Sequence, residues 1–354
     1  MDESMLAARR LPELLRTGAG APVRSPEEWQ CRRQEIAALL QREYLGHRPQ
    51  HAQTTFHTVR TDEDAYGGKA VRRDMQATVR AGRREAVFPF SVLLPKHARR
   101  PLPVFVALSF SDTVACGMGE ELIDRGYALA HVQYDLVEPD DGHRAASAFA
   151  ALDDTPEPHH WGKIGEWAFA ASCAADYLQT LPDVDARRMA LIGHSRLGLT
   201  ALWCGAMDER FSLTVGVNAG ALYRGSECEQ YTDLMREYTR YWFCEAFFAG
   251  RDTAEQLPFD MHFLLSLIAP RHALLIGATR DQWTSPRSQA LAAVAASPAY
   301  ALLGTEGLVL PDTSPEPGRL YGEGRIGFYL RDGVHYFGRE EWLAAMAFRK
   351  RHHV

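Results

Sequence analysis

A serine between two glycines has a setting that is typical of a catalytic nucleophile. The segment 193–198 reads Gly-His-Ser-Arg-Leu-Gly, with an apolar stretch over 189–192 before it and an apolar helical pattern after it. The spacing Gly-x-Ser-x-x-Gly is one residue longer than the Gly-x-Ser-x-Gly nucleophile elbow, in which a turn between a strand and a helix exposes the serine hydroxyl and N–H groups at the helix start can stabilise an oxyanion. Gly193 and Gly198 would let the strand and the helix approach closely. The motif predicts Ser195 as a nucleophile, and the alternative is a serine that caps an ordinary turn.

A histidine and an aspartate follow this serine in the order that such a site needs. With a nucleophile elbow, the partners come in the chain order serine, acid, histidine. His335 comes just after an apolar stretch over 326–330 and is the predicted base. Asp281 follows the strand pattern at 273–276 and is the predicted acid, with turn formation or helix capping as the alternative role. Asp260 is the second candidate for the acid.

Short apolar stretches separated by helix-length segments must position these residues. The predicted strands are 104–108, 128–132, 189–192, 213–217, 273–276 and 326–330, and the predicted helices are 164–178, 197–207, 286–296 and 340–349. Strands that are apolar on both faces are typical of a parallel sheet covered on both sides. We therefore predict an α/β-hydrolase fold, a doubly wound and mostly parallel sheet with helices on both faces.

The first hundred residues have a different pattern. A serine, a proline and two glutamates over 25–28 predict the start of a helix. Stretches rich in β-forming residues at 54–60, 75–80 and 86–94 predict an antiparallel opening to the sheet. The segment 304–324 reads as a long surface loop, and no linker divides the chain. We expect one domain over residues 25–354, preceded by an N-terminal extension over residues 1–24.

The composition excludes several classes of protein. The chain has 354 residues, 46% of them hydrophobic, and a net charge of -6. Disordered and collagen-like chains have other compositions, and a mild negative charge argues against nucleic acid or an anionic membrane as a partner. Six scattered cysteines without metal-ligand spacing make a zinc site unexpected, and without a secretion signal they favour buried free thiols over the alternative of three disulfides. We expect no metal or organic cofactor and, because no secretion signal is evident, a cytoplasmic location.

Several blocks of sequence resemble one enzyme family when they are taken in order. They are His-His-Trp-Gly-Lys-Ile-Gly-Glu-Trp-Ala at 159–168, the elbow at 193–198 with Ala-Leu-Trp at 201–203, Leu-Pro-Phe-Asp-Met-His-Phe-Leu-Leu at 257–265 leading to 267–271, Asp-Gln-Trp at 281–283, and Gly-Val-His at 333–335. This series is similar to the bacterial branch of the glucuronoyl esterases, carbohydrate esterase family fifteen. The resemblance covers roughly residue 25 to the C-terminus.

The resemblance implies a serine esterase that cleaves esters of (4-O-methyl)glucuronic acid, as in lignin–xylan cross-links. By position, it implies Ser195 as nucleophile, His335 as base and Arg196 as a contributor to the oxyanion hole through backbone and guanidinium. A fixed cation beside a developing alkoxide stabilises the transition state more than the ground state. Trp283 would pack against the sugar, or else be a core aromatic, and His262 would lie at the pocket edge.

The sequence also departs from the family. Many members carry a lysine that contacts the uronate directly after the second glycine of the elbow, where this chain has Leu199. The family acid often follows the next strand, where this chain has Asn218, so the role should fall to Asp281. Further candidates for sugar contacts, with a solvated helix start as the alternative, are Tyr223, Arg224, Glu227 and Glu229.

Three functional hypotheses follow. The first is a glucuronoyl-type esterase that acts on a small carbohydrate-linked ester, and the second is an acetyl or xenobiotic esterase of the same fold. Leu199 favours the second, because an acetyl group needs no cation for recognition. The third hypothesis is a catalytically inactive binding protein on a hydrolase scaffold, against which the presence of Ser195, Asp281 and His335 counts.

Overall fold

A mixed sheet of ten strands crosses the part of the chain that the structure describes. The computed structural model describes residues 3–49, 51–114, 117–143, 148–225, 239–311 and 314–354. In chain order, the strands are β1 Gln53–Asp64, β2 Ala70–Ala81, β3 Arg84–Pro95, β4 Leu102–Ser109, β5 Ala128–Gln133, β6 Val184–His194, β7 Phe211–Val217, β8 His272–Ala278, β9 Leu320–Tyr321 and β10 Ile326–Arg331.

The central strands of this sheet run parallel. The spatial order is β1-β2-β3-β5-β4-β6-β7-β8-β10-β9. Neighbours from β5 to β10 in this order pair in parallel, whereas the pairs at both ends of the sheet are antiparallel. Parallel neighbours need crossover connections, which helices provide from β4 onwards. The carboxyl ends of the parallel strands therefore share one edge of the sheet.

Helices cover both faces of the sheet. In the described ranges they are α1 Glu3–Ala7, α2 Pro26–Leu40, α3 Met118–Asp124, α4 Lys163–Gln179, α5 Arg196–Met207, α6 Met261–Ser266, α7 Pro286–Leu302 and α8 Arg339–His352. Shorter helical turns are Gln41–Leu45, Ala65–Gly68, Tyr134–Leu136, Ala150–Leu152, Arg240–Trp242, Glu245–Phe247 and Ala254–Gln256.

Alternate side chains of a central strand enter opposite cores. Along β4, Val104 and Val106 belong to the core that includes α4 and α5, whereas Phe105 and Ala107 pack in a second core with Trp342 of α8. All five side chains are at most 2% exposed. Successive residues of a strand point to opposite faces, so a strand that is buried on both faces is apolar throughout. This packing explains the apolar stretches of the sequence.

The predicted strands and helices are present, and most extend a few residues further than predicted. The Oγ of Ser25 accepts from the Glu28 N–H over 3.2 Å, as the predicted helix start requires. The elements that were not predicted include α1, α3 and the two-residue β9, which lies inside the predicted loop over 304–324. All three are short, and an element of that length has too little periodicity to be recognised in a sequence.

The described part of the N-terminal extension packs against the same core as the rest of the chain. Leu14 and Val23 are 6% and 4% exposed. Arg32 of α2 donates from Nε to the Leu14 carbonyl over 3.1 Å. Within the described ranges, no helix combines the length and the apolar character that crossing a membrane requires.

Candidate active site

Ser195 lies on the sharp turn that the sequence predicts. It separates His194, the last residue of β6, from Arg196, the first residue of α5. Its backbone angles are φ 58° and ψ -126°, and a positive φ is uncommon and strained for a residue with a Cβ. The Ser195 N–H donates to the Val217 carbonyl over 2.8 Å, which ties the turn to β7. This is the conformation of a nucleophile elbow.

Close packing explains the two glycines of the motif. A Cβ at Gly193 would collide with the carbonyl oxygen of Leu197, and a Cβ at Gly198 would lie 2.8 Å from both the Val217 oxygen and the Ala219 Cβ. An interior packed this closely cannot accept an added methyl group without a shift. The prediction that both glycines let the strand and the helix approach closely is confirmed.

Asp281 and His335 form a hydrogen-bonded pair at the carboxyl edge of the sheet. Asp281 follows β8 and His335 follows β10, and Nδ1 of His335 lies 2.9 Å from Oδ2 and 3.0 Å from Oδ1 of Asp281. The two loops are joined through the backbone, where the Arg280 N–H donates to the Gly333 carbonyl over 2.7 Å. The Asp281 side chain is 0% exposed and the His335 side chain 19%. The histidine is thus open to a ligand while its carboxylate partner is not.

Four donors surround the Asp281 carboxylate. Besides His335, Asn218 donates from Nδ2 to Oδ2 over 2.7 Å, and the backbone N–H groups of Trp283 and Thr284 donate to Oδ1 over 2.8 and 3.0 Å. Burial alone would raise the pKa of Asp281, but the hydrogen bond and charge of His335, with the two backbone amides, outweigh it and lower that pKa. An ionised carboxylate only accepts, so the facing Nδ1 carries a proton and Nε2 is left as the basic nitrogen.

The His335 imidazole lies next to the elbow. Its ring centroid is 4.6 Å from that of His194, the residue that precedes the serine. Burial, followed by electrostatic repulsion from His335, lowers the pKa of His194 to about 3. His194 is therefore neutral near pH 7, so it does not compete with His335 as a charged partner of Asp281.

The Arg196 guanidinium is held between two aromatic rings and a carboxylate. Its Cζ lies 4.5 Å from the ring centroid of Trp242 and 5.6 Å from that of Phe110. It forms an ion pair with Asp140, whose side chain is 5% exposed, while the Arg196 side chain is 29% exposed. The cation predicted to assist an oxyanion is therefore present beside the elbow, with its charge paired.

Exposed aromatic side chains flank the histidines. Trp283 is 57% exposed, with its ring centroid 6.4 Å from that of His335. Phe110, directly after β4, is 42% exposed and lies 6.1 Å from the His194 ring. Aromatic side chains are frequent in ligand pockets, where they offer an apolar face to the ligand. The alternative that Trp283 is a core aromatic is wrong.

The position of His262 corrects its predicted place at the pocket edge. The residue is 2% exposed, and its Nε2 lies 2.9 Å from the Pro12 carbonyl oxygen. Burial lowers the pKa of His262 to about 4. The ring is therefore neutral near pH 7 and fastens the N-terminal segment to α6.

Arg224 likewise has structural partners, which corrects its predicted contact with a sugar. Its Nη2 donates to the carbonyl oxygens of Glu255 and Leu257 over 3.0 and 2.6 Å. These bonds hold two loops together and direct the guanidinium at backbone rather than at the exposed histidine. Of the other three candidates, Tyr223 is buried, with 3% of the residue exposed, and Glu227 and Glu229 lie outside the described residues.

Asp260, the second candidate for the acid, is a helix cap. Its carboxylate accepts from the backbone N–H groups of Tyr223, Arg224 and Met261 over 2.8, 3.0 and 2.7 Å. The residue is 0% exposed and precedes α6. Asp281, not Asp260, is the acid that the structure brings to His335.

Four neighbouring side chains were not predicted in their observed roles. Phe110 and Asn218 each follow a central strand directly, and that position was the available signal, because ligands bind at the carboxyl ends of such strands. Asp140 and Trp242 lie in long connections, where no local pattern indicates which residues meet. Their contacts with Arg196 depend on the tertiary fold.

The fold and the order of these residues define an α/β-hydrolase. Ser195, Asp281 and His335 follow β6, β8 and β10 in turn. Among the side chains that the structure describes, no group of three from His, Cys, Asp and Glu is placed to hold a metal ion. Such an arrangement can carry out acyl transfer through a serine.

Comparison with known proteins identifies the family. The family model described as "Glucuronyl esterase, fungi" matches residues 77–304. Carbohydrate esterase MZ0003 from an unknown prokaryotic organism is 31% identical over 99% of this chain and 91% of its own length. A 4-O-methyl-glucuronoyl methylesterase from Schizophyllum commune is 28% identical over 83% of this chain and 74% of its own. The structure of a glucuronoyl esterase from Solibacter usitatus aligns with a TM-score of 0.84 and 30% identity, covering 96% and 97% of the two chains. This chain belongs to the glucuronyl esterase family, a family of carboxylic ester hydrolases.

Replacing Asp281 with Asn is expected to lower the free energy of unfolding at pH 7 by about 1–3 kcal/mol, because the new Nδ2 would face two donors. The pKa of Asp281 is lowered in the folded protein. Its charge therefore stabilises the folded protein above about pH 4, the pKa of an aspartate in the unfolded chain. This contribution is lost as the pH falls through the folded-state pKa. The difference in the free energy of unfolding between wild type and Asp281→Asn, measured by urea unfolding, should decrease from pH 7 towards about pH 2.5.

The control for this series is Asp154→Asn, since the Asp154 side chain is 84% exposed. It should change the free energy of unfolding by less than about 0.5 kcal/mol at either pH. If the loss of unfolding free energy in Asp281→Asn stayed constant over the pH range, the stabilising role of the carboxylate would be contradicted.

Proposed function

We propose that this protein is a serine carboxylester hydrolase that cleaves esters of (4-O-methyl)glucuronate, or of a related small acylated sugar, with Ser195, His335 and Asp281 as its catalytic triad. The observation that carries the proposal is the Asp281–His335 hydrogen bond of 2.9 Å beside a serine held at φ 58°. Serine acyl transfer needs this combination of nucleophile, base and orienting acid. The substrate class is supported by the Schizophyllum commune relative, which is named a 4-O-methyl-glucuronoyl methylesterase.

Acylation begins with proton transfer from Ser195 to His335. Nδ1 of His335 faces Asp281, so Nε2 accepts the proton while Oγ attacks the ester carbonyl. The tetrahedral intermediate collapses, the bond to the alcohol oxygen breaks, and His335 returns the proton to the leaving alcohol. Asp281 stabilises the imidazolium that exists in between.

Deacylation repeats these steps with water in place of the serine hydroxyl. His335 takes a proton from water as the water oxygen attacks the acyl carbonyl. The bond between that carbonyl and Oγ then breaks, and His335 returns the proton to Ser195. The acid half of the ester leaves as a carboxylate.

Both half-reactions pass through an oxyanion close to the start of α5. Arg196 is the first residue of this helix, where backbone N–H groups lack intrahelical partners and the helix dipole is positive. Its guanidinium adds a cation beside the elbow, paired with Asp140. Loss of one such donor typically costs about 10²–10³-fold in rate.

The exposed aromatic rings offer a surface for the sugar and the leaving group. Trp283 is 57% exposed and next to His335, so a pyranose ring can pack on its face while the ester carbonyl reaches Ser195. Phe110, 42% exposed, lies beside Arg196. Flat apolar faces with a few polar groups between them are typical of small-ligand sites.

Ser195→Ala is expected to lower kcat/KM for methyl 4-O-methylglucuronate by at least about 10⁴-fold, because the step that forms the acyl-enzyme is lost. The initial rate of ester hydrolysis measures this effect, and urea unfolding checks that the fold is intact. Ser212→Ala is the matched control. Ser212 donates to the Met189 carbonyl over 3.1 Å at the opposite edge of the sheet, and this variant should keep wild-type turnover. Undiminished turnover by Ser195→Ala would remove the proposed nucleophile.

A second candidate, an acetyl or xenobiotic esterase, is favoured by Leu199. This residue is 8% exposed and apolar, at the position where the family resemblance places a uronate-binding lysine. An acetyl group has no hydroxyls or charge for a lysine to contact. The mechanism at Ser195 would be the same, and only the acyl group would differ.

The two candidates differ in the acyl group that they prefer. Benzyl glucuronate should be hydrolysed with a kcat/KM at least about tenfold above that of 4-nitrophenyl acetate, although the latter has the better leaving group, because the glucuronoyl group, unlike the acetyl group, can pack on Trp283. Side-by-side rate measurements at one pH decide the matter. A preference for the acetate would replace the first candidate with the second.

A further inference from the structure

A carboxylate is fixed against the cation that follows the proposed nucleophile. Asp140 forms an ion pair with Arg196, and its side chain is 5% exposed. Its Oδ1 accepts from Nε1 of Trp242 over 2.9 Å, and the Trp242 ring also lies 4.5 Å from the guanidinium. A buried carboxylate with two partners is costly to displace. The pair is therefore a fixed feature of the surface beside the elbow.

A buried lysine anchors the loop that carries this carboxylate. Lys163, at the start of α4, has a side chain that is 1% exposed. Its Nζ donates to the Pro139 carbonyl and, over 2.8 Å, to Oδ1 of Asp141. The hydrogen bond from Lys163 is the largest influence that lowers the pKa of Asp141 to about 2. Two adjacent acids thus have separate cations: Asp141 is paired with Lys163, and Asp140 with Arg196.

The charge of the ligand changes during the proposed reaction. The substrate is a neutral ester, and the product is an acid that is ionised near pH 7, because carboxyl groups have a pKa of about 4. The new carboxylate forms where the ester carbonyl was, beside Arg196. An uncompensated guanidinium would attract this anion strongly, since Coulomb attraction increases as water is excluded. Such attraction would retain the product.

We infer that Asp140 is a specificity-determining residue, which offsets the charge of Arg196 so that the pocket accepts a neutral ester and releases the carboxylate formed from it. This inference rests on the proposed function. The Arg196 backbone N–H, at the start of α5, remains available to the oxyanion, while the Asp140 carboxylate offsets the net charge that a free anion would otherwise meet. The contact depends on geometry: Asp140 reaches Arg196, and Asp141 does not.

The test compares the binding of D-glucuronate with that of its neutral amide, D-glucuronamide. Isothermal titration calorimetry on the full chain gives both dissociation constants without requiring turnover. Wild type should bind the two ligands within about threefold of each other. Asp140→Asn should bind glucuronate at least about tenfold more tightly than wild type, with glucuronamide changed by less than about threefold. Asp154→Asn, which removes one negative charge from a side chain that is 84% exposed, should bind both ligands as wild type does.

Other results would overturn the inference. In Asp140→Asn, an unchanged affinity for glucuronate, or an equal change for both ligands, would show that Asp140 supports the pocket without selecting against charge. If that variant fails to fold, the two wild-type dissociation constants decide. Binding of glucuronate more than about tenfold tighter than that of glucuronamide overturns the inference. If neither ligand binds wild type, the glucuronate substrate class is wrong and the inference falls with it. If both ligands bind but their affinities do not follow the expected pattern, the role of Asp140 is rejected and the proposed function is not.

Discussion

The buried carboxylate of Asp281 is the group on which the rest of the site depends. An ionised carboxylate has about four lone-pair positions, and His335, Asn218, Trp283 and Thr284 supply four donors. Without these bonds a side chain that is 0% exposed could not remain charged. The donors come from the ends of β7, β8 and β10. The hydrogen bonds that keep the carboxylate charged therefore also fix the histidine.

The parallel sheet brings these groups to one edge, and close packing holds them there. The positive φ of Ser195 is maintained by the bond from its N–H to Val217 of β7 and by the lack of space around Gly198. A strained residue of this kind persists only where its surroundings over-determine it. The Asp140–Arg196 pair lies on another side of the elbow, so the site combines two buried carboxylates, one paired cation and exposed aromatic rings.

The sequence predicts these features to different degrees. Ser195, Asp281 and His335 could be found because each follows a short apolar strand, and because the elbow motif fixes their order. His262 and Arg224 were assigned to a substrate pocket, but their partners are backbone carbonyls distant in the chain. Such contacts, like that of Asp140 with Arg196, arise from the path of long connections, which no local pattern encodes. The exposure of Trp283 also became evident only from the fold.

The central claim is that His335, oriented by Asp281, activates Ser195. Labelling with a fluorophosphonate probe tests it most directly, because only an activated serine reacts readily with this electrophile. Intact-mass and peptide analysis should find one adduct, located on Ser195. Its rate of formation should fall at least about 10²-fold in His335→Ala, which removes the base. An adduct on another residue, no adduct, or an unchanged rate in His335→Ala would contradict the account.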